Sequence, residues 1–248
     1  MPRVVHFEIP TENPEKTVAF YEKAFGWQIK KWEGPQDYWL VCTGSGDEMG
    51  INGAIMRKTD AYGVRNTIGV EDLDEALRKV EEGGGKIILP ASPIEGVGDW
   101  ALCEDPDGNF FGLIKPHDCG GRACGREGKT PRVVHFEIPS ANPEQAADFY
   151  RKAFGWEITK WEGQMEYWLV RTGPKEEMGI DGGIMRKSDN YGVRNTIAVD
   201  DIDEALRKVE QAGGKIVMPR STVEGVGELS LCEDPDGNAL GIIQPLPM

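Results

Sequence analysis

The sequence predicts an α+β fold that consists of four modules of the βαβββ type. The first observation is a repeat, because Pro2–Pro10 recurs unchanged as Pro131–Pro139, 129 residues later. The second is that each copy reads twice as a strand, a helix and three strands. The third is glycine, with 32 of 248 residues against a usual share of roughly 7%; these glycines mark the many turns between the elements.

The repeat continues without a gap over almost the whole chain. From Pro2/Pro131 to Pro116/Pro245, 78 of the 115 aligned pairs are identical. A solenoid repeats at roughly 20–50 residues, so this is a duplicated domain. The predicted domains are residues 1–116 and 131–248, joined by a linker at 117–130 that is rich in glycine and charge.

Within the linker, Cys119, Cys124 and His117 allow three interpretations. A structural zinc site needs four ligands, and only three candidates are present. The other interpretations are a disulfide between the two cysteines or ordinary linker thiols.

The first module begins with alternating residues at Val4–Ile9, a period of two that predicts a strand. Asn13 and Pro14 start a helix as cap and first-turn residue, and Gly26 ends it. Three strand candidates follow, separated by turns that contain glycine: Trp27–Glu33, Asp37–Thr43 and Gly50–Lys58.

The second module repeats this order. After a strand at Asn66–Val70, Asp72 caps a helix that stops at the three glycines 83–85. The turn sequence Asp105–Gly108 separates the last two strands. The three closing strand candidates are Lys86–Leu89, Asp99–Cys103 and Asn109–Ile114.

The overall charge excludes several functional classes. Lys and Arg total 28 against 42 Asp and Glu, a net charge of −14, which repels phosphate backbones and anionic lipid. No apolar run reaches the roughly 20 residues of a membrane span, and the N-terminus lacks the apolar core of a signal peptide. Five cysteines, an odd number, favour a reducing compartment. We therefore expect a cytoplasmic protein that acts on a small molecule, not on nucleic acid or membrane.

Three motifs carry a family resemblance, and they occur in both repeats. In repeat 1 they are Phe20–Trp27, Asp72–Ala76 followed by a glycine pair, and Glu104–Asn109. They resemble the vicinal oxygen chelate superfamily of glyoxalases, bleomycin-resistance proteins and extradiol dioxygenases. The nearest likeness is the uncharacterised group related to lactoylglutathione lyase. The resemblance implies two tandem glyoxalase-like domains with sheet-lined clefts, which pair within the chain as subunits of single-domain relatives do. A monomer or a homodimer is then expected.

The resemblance also implies where a divalent metal would be held, with one ligand from each of four strands. In both repeats the first position is a histidine, the third an arginine and the fourth a glycine: His6 and His135, Arg65 and Arg194, Gly112 and Gly241. The second position lies near residues 52–54 and 181–183, where Asp181 is the only residue whose side chain is a strong type of metal ligand. Guanidinium has no lone pair to offer a metal. We therefore expect no cofactor; the metal-ligand remnants are His6, His135 and Asp181.

The same positions offer other chemistry. His6 and Glu8 share one face of their strand, as do His135 and Glu137, so each pair is a candidate acid–base couple. Beside them the resemblance places the third-position arginines, whose guanidinium groups are suited to an anion. The alternative is that Arg65 pairs with Glu8 while His6 is a hydrogen-bonded remnant.

Further candidates for ligand binding lie near the ends of neighbouring strands. Two arginines at the ends of strands are either anion contacts or solvated charges: Arg57 and Arg186. Two aromatic pairs on facing strands either wall a flat apolar pocket or form ordinary cross-strand packing. These pairs are Trp32 with Tyr38, and Trp161 with Tyr167.

Three functions remain open from the sequence. The first is a metal-independent protein of the bleomycin-resistance kind that binds a small anionic or aromatic molecule. The second is a lyase, isomerase or epimerase that uses the His/Glu pairs as acid–base groups. The third is a metal-dependent lyase or dioxygenase with a rearranged set of ligands.

Overall fold

A computed structural model describes residues 2–34, 36–45, 48–58, 63–117, 130–163, 165–187 and 191–246. The linker cysteines Cys119 and Cys124 lie outside these ranges, and the domain boundaries stay predictions. Repeat 1 consists of β1 Arg3–Thr11, α1 Pro14–Phe25, β2 Gln28–Lys31, β3 Tyr38–Cys42, β4 Asn52–Arg57, β5 Arg65–Gly69, α2 Leu73–Glu82, β6 Lys86–Ile94, β7 Gly98–Glu104 and β8 Phe110–Pro116.

Repeat 2 has the same elements in the same order. They are β9 Arg132–Ser140, α3 Pro143–Phe154, β10 Glu157–Lys160, β11 Tyr167–Arg171, β12 Asp181–Arg186, β13 Arg194–Ala198, α4 Ile202–Gln211, β14 Lys215–Val223, β15 Gly227–Glu233 and β16 Ala239–Pro245. The predicted α+β class with four βαβββ modules is confirmed.

Each repeat contributes one eight-stranded sheet. The strand orders are β2-β3-β4-β1-β5-β8-β7-β6 and β10-β11-β12-β9-β13-β16-β15-β14. The pairs β5 with β8 and β13 with β16 are parallel, and β8 and β16 are in turn antiparallel to β7 and β15. The opening and closing strands of each second module therefore lie side by side, which positions the residues discussed below.

The helix boundaries follow the predicted caps. The Asn13 side chain accepts a hydrogen bond from the backbone N–H of Lys16, and Gly26 closes α1 in the left-handed region with φ 68°. Asp72 accepts from the N–H of Glu75 at the start of α2. Each cap satisfies backbone groups that the helix leaves unpaired, which is why these short polar and glycine residues set its ends.

Strand β6 is longer than the sequence predicts. The predicted strand ends at Leu89, before Pro90, whereas the observed strand continues to Ile94. Since β6 is the last strand of its sheet, a proline there costs no ladder hydrogen bond on the open side. The pairing with β7 shifts register at two places along this stretch.

Contacts divide the chain into two compact units, and each unit contains segments of both repeats. Unit 1 comprises Met1–His6, Arg65–Ala123 and Phe136–Val193. Unit 2 comprises Phe7–Val64, Cys124–His135 and Arg194–Met248. In unit 1, α2 contacts α3, and in unit 2, α1 contacts α4. The second module of one repeat therefore packs with the first module of the other.

The core of each unit contains a stacked pair of aromatic rings. Trp27 and Trp156 are each 2% exposed. In unit 2 the Tyr21 and Trp27 rings lie 4.9 Å apart at 5°, and in unit 1 the Tyr150 and Trp156 rings lie 5.1 Å apart at 4°. Burial of rings this large is a main contribution to the core.

Two of the described cysteines are buried free thiols, and a third is bonded. Burial raises the pKa of the Cys103 thiol to about 12 and that of Cys232 to about 11, so both behave as small apolar side chains. Cys42 is disulfide-bonded. No helix within the described ranges is long and apolar enough to cross a membrane.

Candidate functional site

One face of the second module in repeat 1 gathers the groups best suited to hold an anion. Arg65 and Thr67 alternate along β5, and Thr67 is in register with Gly112 on β8. On β7, Trp100 pairs with Ile114, two residues beyond the Leu102–Gly112 pair. Because side chains two apart share a face, Arg65, Thr67, Gly112 and Trp100 all lie on one side of this part of unit 1.

Arg65 is held against an aromatic ring. Its side chain is buried, with 6% of the residue exposed, and the guanidinium carbon lies 5.7 Å from the Trp100 ring centroid. At this distance the ring quadrupole attracts the cation. Trp100 itself is half-buried, so a charged fork and a flat apolar surface are adjacent here.

Gly112, at the fourth metal-ligand position of the resemblance, has no space for a side chain. A Cβ atom built there would lie 2.5 Å from Thr67 Oγ1 and 2.7 Å from Trp100 Nε1. A carboxylate therefore cannot extend from this position without displacing both groups. With arginine at the third position, these residues do not fit the family's divalent metal.

The equivalent face in unit 2 lacks the tryptophan. Arg194 is 8% exposed, and a Cβ at Gly241 would lie 2.5 Å from Thr196 Oγ1. The residue that corresponds to Trp100 is Leu229 on β15. Arginine, threonine and glycine are therefore repeated, whereas the aromatic ring is not.

The second ligand region is already engaged in hydrogen bonds. Asp181 Oδ1 accepts from the Thr172 N–H at 2.9 Å, from Thr172 Oγ1 at 3.2 Å and from Arg3 at 3.5 Å. In repeat 1, Asn52 Oδ1 accepts from the Thr43 N–H at 2.9 Å. The two side chains thus perform the same task of closing a loop, and only Asp181 carries a charge suited to metal.

Glu8, one of the predicted acid–base groups, is hydrogen-bonded to a phenol. Its side chain is buried, with 6% of the residue exposed, and Oε1 accepts from the Tyr38 hydroxyl at 3.1 Å. Glu137 is less buried, and His6 and His135 are half-buried on β1 and β9. Unit 2 therefore brings together Glu8, a predicted acid–base group, and Tyr38, which was predicted as a ring of an aromatic pair.

The strand-end arginines form exposed ion pairs. Arg57 Nε donates to Asp37 Oδ2 at 2.9 Å, and Arg186 pairs with Glu166. Hydrogen bonds from Lys31 and Arg57 lower the pKa of the Asp37 carboxyl, and the Arg186 hydrogen bond lowers that of Glu166. Exposed pairs of this kind contribute little stability. Each arginine is therefore paired with a carboxylate but is still accessible to solvent.

The two predicted aromatic pairs are in edge-to-face contact. Trp32 and Tyr38 lie 6.2 Å apart at 74° in unit 2, and Trp161 and Tyr167 lie 6.5 Å apart at 82° in unit 1. This geometry is a normal packing arrangement. All four rings are half-buried, which leaves part of each available to a ligand.

Arg65, Thr67, Gly112 and Trp100 together form what we call the arginine-bearing face of repeat 1. Of these residues, Thr67 and Trp100 were not predicted from the sequence. Threonine is common on strands and gave no signal. Trp100 did carry one, because it is the one tryptophan of the seven without a tryptophan in the other repeat. The sequence signal that could have identified Trp100 is this difference between two otherwise matching repeats.

No cluster of three or more His, Cys, Asp or Glu side chains suited to a metal occurs among the residues that the structure describes. The remnant positions His6, His135 and Asp181 therefore do not form a recognisable centre there.

Comparisons with known proteins identify the family. The model of the Glyoxalase/Bleomycin resistance protein/Dioxygenase superfamily matches twice, over residues 3–113 and 132–242. The chain therefore belongs to this superfamily, as the motifs predict.

Relatives with related names match the sequence, and a solved structure shares the fold. The Mycobacterium tuberculosis protein "Putative glyoxylase CFP32" is 29% identical over 73% of this chain and 69% of its own length. "Probable lactoylglutathione lyase, chloroplastic" of Arabidopsis thaliana is 25% identical over 95% and 71%. The Mn(II)-bound glyoxalase from Novosphingobium aromaticivorans, at 14% identity, has a TM-score of 0.72 and is covered over 84% of its chain and 100% of this one. This last likeness concerns the fold alone.

Proposed function

We propose that this protein binds a small anionic molecule, in the manner of the bleomycin-resistance branch, at arginine-centred sites that do not use the superfamily's divalent metal. The observation that carries the proposal is Gly112, where Thr67 and Trp100 fill the space that a metal-binding carboxylate needs. The buried guanidinium of Arg65 at the third position supplies positive charge where a metal would otherwise do so. Arg194 and Gly241 repeat this arrangement in unit 2.

Charge explains why an anion is the preferred ligand. A guanidinium that is largely removed from water interacts strongly with a carboxylate, and its planar fork matches the two oxygens. The chain has a net charge of −14, which disfavours anions away from these arginines. Selective anion binding therefore depends on Arg65 and Arg194.

The test combines metal analysis with ligand titration. Protein purified without chelator is expected to contain far less than one equivalent of divalent metal by elemental analysis. Isothermal titration with benzoate is expected to show binding that Arg65→Met together with Arg194→Met weakens at least tenfold, since a charge-assisted bond is lost. Arg78→Met is the matched control, because Arg78 is exposed and paired with Glu82 on α2.

Arg65→Lys is a second variant in case removal of the buried charge disturbs folding. It keeps the charge but loses the bidentate fork, so intermediate affinity is expected. Metal at one equivalent per site, or binding unchanged in the double arginine variant, would contradict the proposal.

A second candidate is an acid–base enzyme of the lyase or isomerase type, and the Glu8–Tyr38 hydrogen bond favours it. A buried carboxylate bonded to a phenol is able to hold or pass a proton. The relatives named as lactoylglutathione lyases make lactoylglutathione the first substrate to assay. Turnover that is lost in Glu8→Gln and in His6→Ala, and retained without metal, would favour this candidate.

A further inference from the structure

The arginine-bearing faces of the two repeats differ at one contact. Arg65, Thr67 and Gly112 correspond to Arg194, Thr196 and Gly241, but Trp100 corresponds to Leu229. Both variable residues are half-buried at the same point of β7 and β15. The two faces therefore carry the same charge with a different neighbouring surface.

Trp100 adds two properties that leucine cannot supply. Its ring lies beneath the Arg65 guanidinium at 5.7 Å, and its indole nitrogen lies beside Gly112, with Nε1 2.7 Å from the place of a Cβ there. Thr67 Oγ1 lies 2.5 Å from that same place. An N–H donor and a hydroxyl therefore converge next to a cation and an aromatic face.

The surroundings of Gly241 are different. The three atoms nearest to the place of a Cβ at Gly241 all belong to Thr196. Leu229 carries no hydrogen-bond donor and no π-surface. The second face thus keeps one hydroxyl and the arginine but loses the flat surface and the N–H.

We propose that the two repeats bind different anions: the Arg65 face selects a planar aromatic carboxylate, and the Arg194 face binds a small aliphatic one. This inference rests on the proposed function, in which both arginines bind anions. An aromatic acid packs edge-to-face against the Trp100 indole, and its carboxylate accepts from the indole N–H and from the Thr67 hydroxyl beside Arg65. The Arg194 face offers the guanidinium and the Thr196 hydroxyl, without the aromatic ring and its N–H.

The experiment compares benzoate with cyclohexanecarboxylate, which has the same charge and nearly the same size but is not planar. Isothermal titration of the full chain is expected to show one site per chain that prefers benzoate, about two- to tenfold, which is what one aromatic contact provides. Trp100→Leu is expected to abolish this preference. Leu229→Trp is expected to create a second benzoate-selective site.

A further variant separates the ring from its N–H group. Trp100→Phe keeps a flat surface but removes the donor, so the preference for benzoate is expected to remain while both acids bind more weakly. It also serves as the test if Trp100→Leu loses the native circular dichroism spectrum.

The outcomes distinguish this inference from the proposed function. If the wild-type protein and Trp100→Leu both bind the two acids equally, the difference between sites is wrong while anion binding stands. If neither acid binds at millimolar concentration, anion binding itself is wrong, and the inference fails with it.

Discussion

At the scale of single residues, two asparagines are buried with atoms that have no hydrogen-bond partner in the described part of the chain. Both Nδ2 and Oδ1 of Asn195 are unpaired, but in Asn66 the unpaired atom is Oδ1. Each lines a small cavity together with core aromatic residues of its unit, Trp156 for Asn66 and Trp27 for Asn195. An unpaired buried polar group costs roughly 1–3 kcal/mol.

Replacement of Asn195 by leucine is therefore expected to stabilise the protein. The leucine has a similar shape and needs no partner, so the free energy of unfolding should rise by about 1–2 kcal/mol in urea titrations. The matched variant Asn66→Leu removes one orphaned atom and should give a smaller gain. A loss of stability in Asn195→Leu would instead show that a buried water pairs with the amide.

The residues at the metal-ligand positions show which features of the candidate site could be predicted from the sequence. The replacement of metal ligands by arginine and glycine was predictable, because guanidinium cannot coordinate and glycine has no side chain. The indole of Trp100 over Gly112 was not, because it depends on the register of β7 with β8. Local patterns predict a strand and its face but not which neighbour lies beside it.

At the scale of elements, the turn between β7 and β8 has a role beyond reversing the chain. The Asp105 side chain accepts from the backbone N–H of Asp107 and Asn109 and from Asn109 Nδ2. It also accepts from the Tyr150 hydroxyl at 2.9 Å, which belongs to α3 of the other repeat. The turn was predicted from its Asp, Pro and Gly residues, whereas a partner 45 residues away leaves no local signal.

Burial raises the pKa of both partners in this hydrogen bond. It raises the pKa of the Asp105 carboxyl, against the lowering effect of the Asn109 hydrogen bonds. Burial and the nearby Asp105 charge raise the pKa of Tyr150 well above its ordinary value. Tyr21, bonded to Asp234 in unit 2, has its pKa raised for the same reasons. Both phenols are thus held neutral in the folded protein.

The raised tyrosine pKa values predict a loss of stability at alkaline pH. Because the folded pKa exceeds the unfolded one of about 10, the stabilisation is complete below pH 10 and declines as pH rises toward the folded pKa. Between pH 9 and 11, each buried phenol should account for a decrease of about 1.4 kcal/mol in the free energy of unfolding. Urea titrations of wild type and Tyr150→Phe should differ by this amount in their pH dependence; parallel curves would contradict the prediction.

At the scale of the whole molecule, each compact unit is assembled from both repeats. In unit 2, Arg132 of repeat 2 donates to the carbonyl oxygens of Glu48 and Gly50 in repeat 1, at 2.8 and 3.0 Å. In unit 1, the equivalent arginine, Arg3 of repeat 1, donates to the Asp181 carboxylate of repeat 2 at 3.5 Å. The sequence predicted the duplication from identity alone. It could not predict which modules associate, because matching modules offer nearly the same surfaces within and between repeats.

This exchange predicts that the two repeats stay together after the chain is cut between them. A site for a specific protease inserted in the predicted linker at 117–130 would give two fragments, each with half of both units. Since the core of each unit requires both fragments, they should elute together in size-exclusion chromatography near the intact mass of 27.4 kDa while separating on a denaturing gel. A reductant belongs in the buffer, because Cys42 is disulfide-bonded. Fragments that separate without denaturant would mean that each repeat folds by itself, and the exchanged contacts of Arg132 and Tyr150 would then be dispensable.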